Sequence, residues 1–242
     1  MTIKLHSVAQ IPSDISRKLE SFTNVFKEQE SWERLLKIPS LLQIVKELDG
    51  ICLRDGVFGY HYTRAEKESI EKHGLVALSG DERRQNFLER YGHLFTDQQR
   101  DRIRKKYNNY FSPEMCRSRD RKVFFNFTLD ALEDTGAEDL LKYYGGEVVN
   151  FPLCDDPELE GILKTIGQPM IVECVLNPAE LTTFIEYPWG KIWFSSYHMT
   201  LNRDTCRCDQ DGYQEISVRP EQIHSIQILQ PPFRYRKMSA KL

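Results

Sequence analysis

The stretch Gly59–Leu75 constrains the fold of this chain more than any other, because an apolar lead-in is followed by polar residues and a short amphipathic segment. Val57, Phe58 and Tyr60 have side chains that are favoured in strands. His61 is therefore predicted to lie at or near the end of a buried strand. An imidazole at such a position either makes a hydrogen bond within the core or faces a ligand.

A helix is predicted directly after this strand. Thr63 is followed three residues later by Glu66, the spacing of a capping box in which a hydroxyl and a carboxylate bond amides at the helix start. Gly74 supplies the left-handed residue that commonly follows a helix, so the helix is predicted to end at Lys72 or His73. The stretch thus predicts a strand, a tight turn and a helix.

Helical patterns dominate the N terminus and the segment after this helix. Apolar spacings of three and four residues predict helices over 13–29, over 32–38 before Pro39, and over 40–50. Residues 1–50 are thus predicted to form an N-terminal helical cap. Residues 79–122 are polar and rich in helix formers, with a capping box at Thr96 and Gln99. They are predicted to form a helical insertion.

Basic side chains cluster beside aromatic ones in this insertion. The basic residues are Arg100, Arg102, Arg104, Lys105 and Lys106, followed by Arg117, Arg119, Arg121 and Lys122. Such a cluster can follow a phosphate backbone while the aromatic rings stack on bases. The alternative is a solvated helix face. On the first interpretation, Arg104, Lys105, Lys106 and Arg119 bind a macromolecular acceptor.

The second half of the chain is predicted to hold most of the strands. The predicted strands are Val123–Thr128, EVVNF (147–151), Met170–Leu176, TTFIEY (182–187) and KIWFSSYHMT (191–200), and the predicted helices are 130–144 and 157–166. A polar hairpin loop is predicted at CRCDQDG (206–212). Short strands with close turns indicate an α+β protein with an antiparallel or mixed β core.

A final hairpin is predicted from Gly212 to Leu229. In this segment Ile216 and Val218 point to one face of a strand, whereas Glu215 and Ser217 point to the other. Glu215 is therefore either an ordinary solvent-facing residue or a carboxylate that faces a ligand site.

Composition and charge set further limits. With 242 residues and 40% apolar side chains, the chain is predicted to fold as one domain with a real core. The formal net charge of −3 restricts any nucleic-acid contact to a local patch. No apolar run approaches the roughly 20 residues that cross a bilayer, so no membrane contact is expected. Six irregularly spaced cysteines indicate reduced thiols and a cytoplasmic protein, and export as an effector remains compatible with this.

The order of a histidine strand, tyrosines and a glutamate strand resembles the ADP-ribosyltransferase superfamily, in its His-Tyr-Glu branch that includes poly(ADP-ribose) polymerases. The resemblance covers about residues 57–230 and implies a split β core that binds NAD as a substrate. His61 would bond a ribose hydroxyl, and the backbone of Tyr62, where the family usually has glycine, would hold the carboxamide. Thr63 would be the hydroxyl residue that stands two positions after the histidine in this NAD-binding motif.

The resemblance also implies the remaining site residues. Either Tyr144 or Tyr143 would stack on nicotinamide, because a pyridinium favours an electron-rich ring face; Tyr144 is preferred because it adjoins two glycines. Glu215 would be the catalytic residue, stabilising positive charge on the anomeric carbon. The implied activity is mono-ADP-ribosyl transfer to a macromolecular acceptor, with release of nicotinamide. A toxin, a phage-defence component or an effector would each fit such an enzyme.

Several alternatives stay open or are disfavoured. tRNA 2′-phosphotransferases are similar in fold and use NAD with RNA, and a non-catalytic module that binds nucleic acid or protein is a third possibility. The Arg-Ser-Glu branch could use Arg64 but is disfavoured, because the residue two positions before Glu215 is Tyr213. Cys206 and Cys208 with His198, and with Cys116 as an optional fourth ligand, could hold zinc, but one Cys-x-Cys pair is a weak pattern, and no metal is expected.

Overall fold

The computed structural model describes residues 2–132, 136–208 and 211–233. Within these ranges the strands are β1 (Val57–Ala65), β2 (Val123–Asn126), β3 (Gln168–Leu176), β4 (Thr182–Thr183), β5 (Asp211–Gln214) and β6 (Ile223–Ile228). They form a six-stranded sheet in the order β4-β5-β2-β1-β3-β6. The predicted α+β class is confirmed.

Antiparallel pairing sets the register of this sheet. Tyr60 of β1 lies opposite Asn126 of β2, and β3 pairs with β6 from Met170 opposite Ile228 onward. The short strand β4 pairs with β5 in the same way. The connection between the neighbouring strands β1 and β2 is long and holds helices of the insertion.

Twelve α-helices lie within the described ranges. They are α1 (Ser13–Glu20), α2 (Thr23–Glu28), α3 (Trp32–Leu35), α4 (Pro39–Asp55), α5 (Lys67–His73), α6 (Gly80–Tyr91), α7 (Asp97–Tyr110), α8 (Pro113–Arg119), α9 (Glu138–Lys142), α10 (Glu147–Asn150), α11 (Pro157–Leu163) and α12 (Pro188–Leu201). Short 3-10 helices occur at Val8–Gln10, Gly92–Leu94, Asp130–Leu132, Phe151–Leu153, Pro178–Glu180 and Pro220–Gln222. The N-terminal helices and the helical character of 79–122 agree with the sequence prediction.

Two boundaries near the N terminus differ from the prediction. The single helix expected over 13–29 is two helices, α1 and α2, separated at Ser21 and Phe22. Helix α4 also continues past Gly50 to Asp55, and Gly56 ends it with a φ of 84°. Gly50 does not stop the helix because a helix interior tolerates glycine at a cost of about 1 kcal/mol.

The predicted capping box at Thr63 and Glu66 is wrong. Strand β1 continues to Ala65, and Glu66 itself is the N-cap of α5, with no side-chain hydrogen bond to the helix amides. Its carboxylate instead accepts a hydrogen bond from the Tyr91 hydroxyl at 2.7 Å. The predicted helix end is confirmed, because α5 ends at His73 and Gly74 has a φ of 72°.

Three segments predicted as strands are wholly or largely something else. EVVNF forms α10 and the start of a 3-10 helix, TTFIEY is extended only at Thr182–Thr183, and KIWFSSYHMT lies in α12. Most of α12 is buried on every side, from Pro188 to His198 apart from Lys191. A helix without a polar face lacks the alternation of apolar and polar residues with a period of 3.6. Its run of apolar and aromatic residues therefore resembles a buried strand.

The chain forms two compact units. The first holds residues up to Tyr60, Phe125–Thr128 and Val175–Tyr213, and its core includes the contact between α4 and α12. A Cβ on Gly190 of α12 would lie 2.1 Å from the Val45 carbonyl oxygen, so glycine is required for this close approach. The Asp49 carboxylate accepts a hydrogen bond from the Gly190 amide at 3.0 Å.

The second unit holds His61–Phe124, Leu129–Cys174 and the chain from Gln214 onward. Its core combines aromatic residues of the insertion with residues of α10 and α11. The core residues are Phe87, Tyr91, Phe95, Ile103, Tyr107, Tyr143, Val149, Leu153, Leu159, Leu163 and Ile166. All of the predicted site residues lie in this unit. Among the described helices, none is long and apolar enough to cross a membrane.

Candidate functional site

His61 lies in the middle of β1, and the prediction that the strand ends at or near it is wrong. Its neighbours Tyr60 and Tyr62 are buried, whereas His61 is half-buried. The Nδ1 atom of His61 lies 2.9 Å from the carbonyl oxygen of Phe124 on β2. A carbonyl oxygen only accepts hydrogen bonds, so Nδ1 carries the proton of the ring and Nε2 is the acceptor.

Burial keeps the His61 ring neutral. It lowers the pKa of His61 to about 4, and the positive charge of Arg83 acts in the same direction, whereas the hydrogen bond to Phe124 opposes them. At neutral pH the ring is therefore a fixed, uncharged hydrogen-bonding group. Such a group suits the binding of a hydroxyl better than the binding of an anion.

Arg83 was missed by the sequence reasoning. It stands near the start of α6, where Ser79 and Glu82 form a capping box that sets the direction of the helix. Its Nη2 donates a hydrogen bond to the Val76 carbonyl oxygen at 2.8 Å. Burial lowers the pKa of Arg83, and an interaction with Tyr144 opposes this. The capping box was a usable signal for the helix start, but no local pattern distinguishes Arg83 from neighbouring basic residues.

The two candidate tyrosines have different surroundings. Tyr143 is only 5% exposed and lies in the core of the second unit. Tyr144 is half-buried, and its ring centroid lies 4.8 Å from that of Tyr91 and 5.9 Å from that of Phe87. Only Tyr144 of this pair interacts with Arg83 among the recorded contacts of the described residues. Arg83 thus interacts electrostatically with both His61 and Tyr144, which are distant in sequence.

Tyr144 contacts Tyr91, which belongs to a network of polar groups. The Tyr91 hydroxyl donates to Glu66, whose carboxylate also pairs with Arg90. Burial raises the pKa of Tyr91, and its interaction with Tyr144 raises it further. Thr63 is half-buried on β1. These contacts join the start of α5 to the end of α6 and hold the tyrosine rings in place.

Glu215 lies outside the strand that was predicted to carry it. Strand β5 ends at Gln214, whose side-chain amide donates to the Ile216 carbonyl oxygen at 2.9 Å and closes a bend. Glu215 is exposed in this bend, and Ile216 is 50% exposed although it was predicted to share a buried face with Val218. The predicted alternation of side chains between two faces does not occur, because β5 ends at Gln214, before Glu215.

The chain after Glu215 runs beside the segment that Arg83 contacts. Val218 pairs with Leu75 in an antiparallel bridge, and the Ser217 hydroxyl accepts a hydrogen bond from the Ala77 amide at 3.0 Å. Arg83 donates a hydrogen bond to the carbonyl oxygen of Val76, which lies between Leu75 and Ala77 in the sequence. The segment Leu75–Ala77 therefore connects the bend at Glu215 with Arg83.

Most of the predicted acceptor-binding cations are ion-paired. Arg104 lies 3.1 Å from Asp101, Arg119 lies 2.6 Å from Glu147, and Lys106 pairs with Asp155. Lys105 is exposed, with no ion pair among the described residues. Exposed ion pairs contribute only about 0–1 kcal/mol, so a polyanion can compete for these cations, but their charge is already largely balanced.

The cysteine loop shows no metal geometry in the described residues. No group of three or more side chains that could hold a metal ion occurs in the described ranges. The His198 Nε2 atom lies 3.0 Å from the Phe26 carbonyl oxygen and 2.7 Å from that of Gln29. Cys208 is buried and Cys206 is exposed. Asp209 and Gln210 of the predicted hairpin loop lie outside the described residues.

The chain shows no match to a protein-family model, to a curated protein or to a solved structure. The functional conclusion therefore depends on the residues of the site. They combine a neutral imidazole, a half-buried phenol ring and a desolvated guanidinium, with an exposed carboxylate at the end of the neighbouring segment. This combination suits a ligand that has hydroxyl groups, an aromatic ring and negative charge.

Proposed function

We propose that this protein is a mono-ADP-ribosyltransferase that uses NAD as its substrate and releases nicotinamide. The observation that carries the proposal is the fixed His61 ring on Phe124, together with the electrostatic interaction of Arg83 with both His61 and Tyr144. The histidine and tyrosine are two of the residues that the resemblance assigns to NAD, and they come from separate parts of the second unit.

Each residue has a role that its surroundings support. His61 is neutral and fixed, so it binds a ribose hydroxyl. The backbone of Tyr62 holds the carboxamide beside it, and the Thr63 hydroxyl supports that end of the ligand. Tyr144 offers an aromatic ring to nicotinamide. Arg83 adds a charge that complements the pyrophosphate, because a guanidinium forms two parallel hydrogen bonds with phosphate oxygens.

The reaction breaks the bond between the nicotinamide nitrogen and the anomeric carbon of the ribose. The electron pair leaves with nicotinamide, and positive charge grows on the sugar. The Glu215 carboxylate stabilises that charge, and an acceptor nucleophile then bonds the anomeric carbon and loses its proton. Glu215 is exposed in a bend, which suits a residue that must meet both the sugar and a macromolecular acceptor.

Measurement of nicotinamide release from NAD tests the catalytic role. Glu215→Gln keeps the size of the side chain and removes its charge, so release is expected to fall on the order of a hundredfold, while NAD binding persists. Glu221→Gln is the matched control, because Glu221 is also exposed and follows in the same segment. Equal rates for wild type and Glu215→Gln would refute the assignment of Glu215.

Calorimetric measurement of NAD affinity tests the role of Arg83. Arg83→Gln is expected to weaken NAD affinity by at least about tenfold, because the charge-assisted hydrogen bonds of the guanidinium to the pyrophosphate are lost. Arg117→Gln is the control, since Arg117 is an exposed arginine whose recorded ion-pair partner is Glu114. If the wild-type protein does not bind NAD at all, the non-catalytic binding module replaces the enzyme as the better explanation.

A further inference from the structure

A separate pocket opens on the second unit. Its volume is about 650 Å³, within the roughly 300–1,000 Å³ of pockets that hold small molecules. Among the described residues of its lining, the cationic ones are Arg64, Lys142 and Lys164, and the one carboxylate is Glu138. Leu132, Leu141, Pro169 and Ile228 contribute apolar wall. The described lining is therefore apolar with an excess of positive charge.

This pocket is distinct from the site around His61. Residues along a strand alternate between its two faces, so Arg64 and His61 point to opposite faces of β1. The described lining also omits Tyr144 and Glu215. A ligand in the pocket thus uses residues that have no role in the proposed transfer reaction.

The structure fixes the three cations in place. The Nε atom of Arg64 donates to the Ile166 carbonyl oxygen at 2.8 Å, which orients the guanidinium. The ammonium groups of Lys142 and Lys164 lie 5.2 Å and 5.1 Å from the centroid of the same Tyr143 ring. Both contacts are cation-π interactions, which restrain each ammonium group beside the Tyr143 ring.

Carboxylates partly offset these charges, because Asp139 and Glu138 both act on Lys142. Glu160 lies 3.6 Å from Lys164, and Glu138 is exposed on the wall. A hydrogen bond with Tyr143 raises the pKa of Lys142, so the group is charged at neutral pH. Arg64 adds a third positive charge to the described lining.

We propose that this pocket binds a small organic phosphate, with the phosphate on Arg64, Lys142 and Lys164 and an apolar or aromatic body against the apolar wall. The cations select a doubly charged group over a neutral one. The wall adds affinity that inorganic phosphate alone does not gain.

Calorimetric titration of the full chain with 1-naphthyl phosphate tests this proposal. Binding is expected, with affinity at least about tenfold greater than for 1-naphthol or for inorganic phosphate. Failure of 1-naphthyl phosphate to bind, or equal affinity for 1-naphthol, would overturn the proposal. The probe has an aromatic ring and a phosphate, which the site around Arg83 also suits, so the variants below assign its binding to one of the two sites.

Substitutions of the pocket lysines test whether 1-naphthyl phosphate binds in this pocket. Lys142→Gln with Lys164→Gln is expected to lose about tenfold or more in affinity, whereas replacement of both by arginine keeps the charge and the binding. The matched control is Lys37→Gln with Lys72→Gln, two exposed lysines away from the pocket. Arg83→Gln should also leave affinity unchanged. An equal affinity of wild type and the Lys142 and Lys164 glutamine variant would refute the site.

Discussion

His61 illustrates how much a single residue depends on its surroundings. The strand places its ring against the Phe124 carbonyl oxygen, and burial with the nearby Arg83 lowers its pKa to about 4. A histidine on an exposed strand would be partly charged near neutrality. In this protein the ring stays neutral and keeps one tautomer, so its hydrogen bonding is the same throughout the neutral range.

The lowered pKa of His61 predicts a loss of stability in acid. The unfolded chain binds a proton as pH falls through about 6.5, while the folded ring resists it until about 4. The stabilising contribution is therefore complete above about 6.5 and is lost between those values. The free energy of unfolding of wild type minus that of His61→Gln is expected to fall on the order of 2 kcal/mol from about pH 7 to about pH 4.5.

Urea unfolding at several pH values measures this difference. The comparison with His61→Gln removes the contribution of carboxylates, which titrate in both proteins. A difference that does not change with pH would show that the His61 ring is not shielded in the folded state.

At the scale of elements, the junction between α5 and the chain after Glu215 is tight. Gly74 ends α5 with a φ of 72°, and its neighbour Leu75 pairs with Val218. A Cβ on Gly74 would lie 1.8 Å from the Val218 carbonyl oxygen. Both the backbone conformation and the space therefore require glycine, and the junction helps to position the bend that carries Glu215.

Gly74→Ala is expected to destabilise the protein on the order of 3 kcal/mol, because strain and a clash add together. Gly50→Ala is the matched control: Gly50 is exposed within α4, and nothing lies within 4 Å of an added Cβ. That change should stabilise by about 0.5–1 kcal/mol. Thermal or urea unfolding measures both, and equal effects of the two changes would contradict the backbone argument.

At the scale of the whole molecule, charge is distributed as balanced pairs. The formal net charge is −3, and basic residues of α7 pair with neighbouring carboxylates, as Arg104 does with Asp101 and Lys106 with Asp155. A long polyanion gains little long-range attraction from such a surface. Nucleic-acid binding through Arg104, Lys105, Lys106 and Arg119 thus remains a prediction for low ionic strength.

Single-stranded RNA is expected to bind weakly, with a slope of log affinity against log salt no steeper than about −2, because few phosphates are contacted. Lys105→Glu with Lys106→Glu should abolish this binding, and Lys37→Glu with Lys72→Glu should not. Fluorescence anisotropy between about 0.05 M and about 0.2 M salt measures both. Unchanged affinity after reversal at Lys105 and Lys106 would remove nucleic acid as a partner of this segment.

Local sequence patterns predicted those elements whose signals lie within a few residues. The capping box at Thr96 and Gln99, the end of α5 before Gly74 and the strand β3 all occur as expected. These features depend on backbone propensity and on hydrogen bonds between near neighbours. For the same reason the sequence determined the α+β class and the helical character of the insertion.

Tertiary packing decided what local patterns cannot contain. Glu66 bonds Tyr91 instead of capping its own helix, and the uniform burial of α12 conceals its helical period. Arg83 is a candidate site residue only because it interacts electrostatically with His61 and Tyr144 in the folded chain. The sequence by itself therefore determined the kinds of elements and the candidate residues. Only the tertiary structure decided which of those residues meet, because such contacts join side chains from distant parts of the chain.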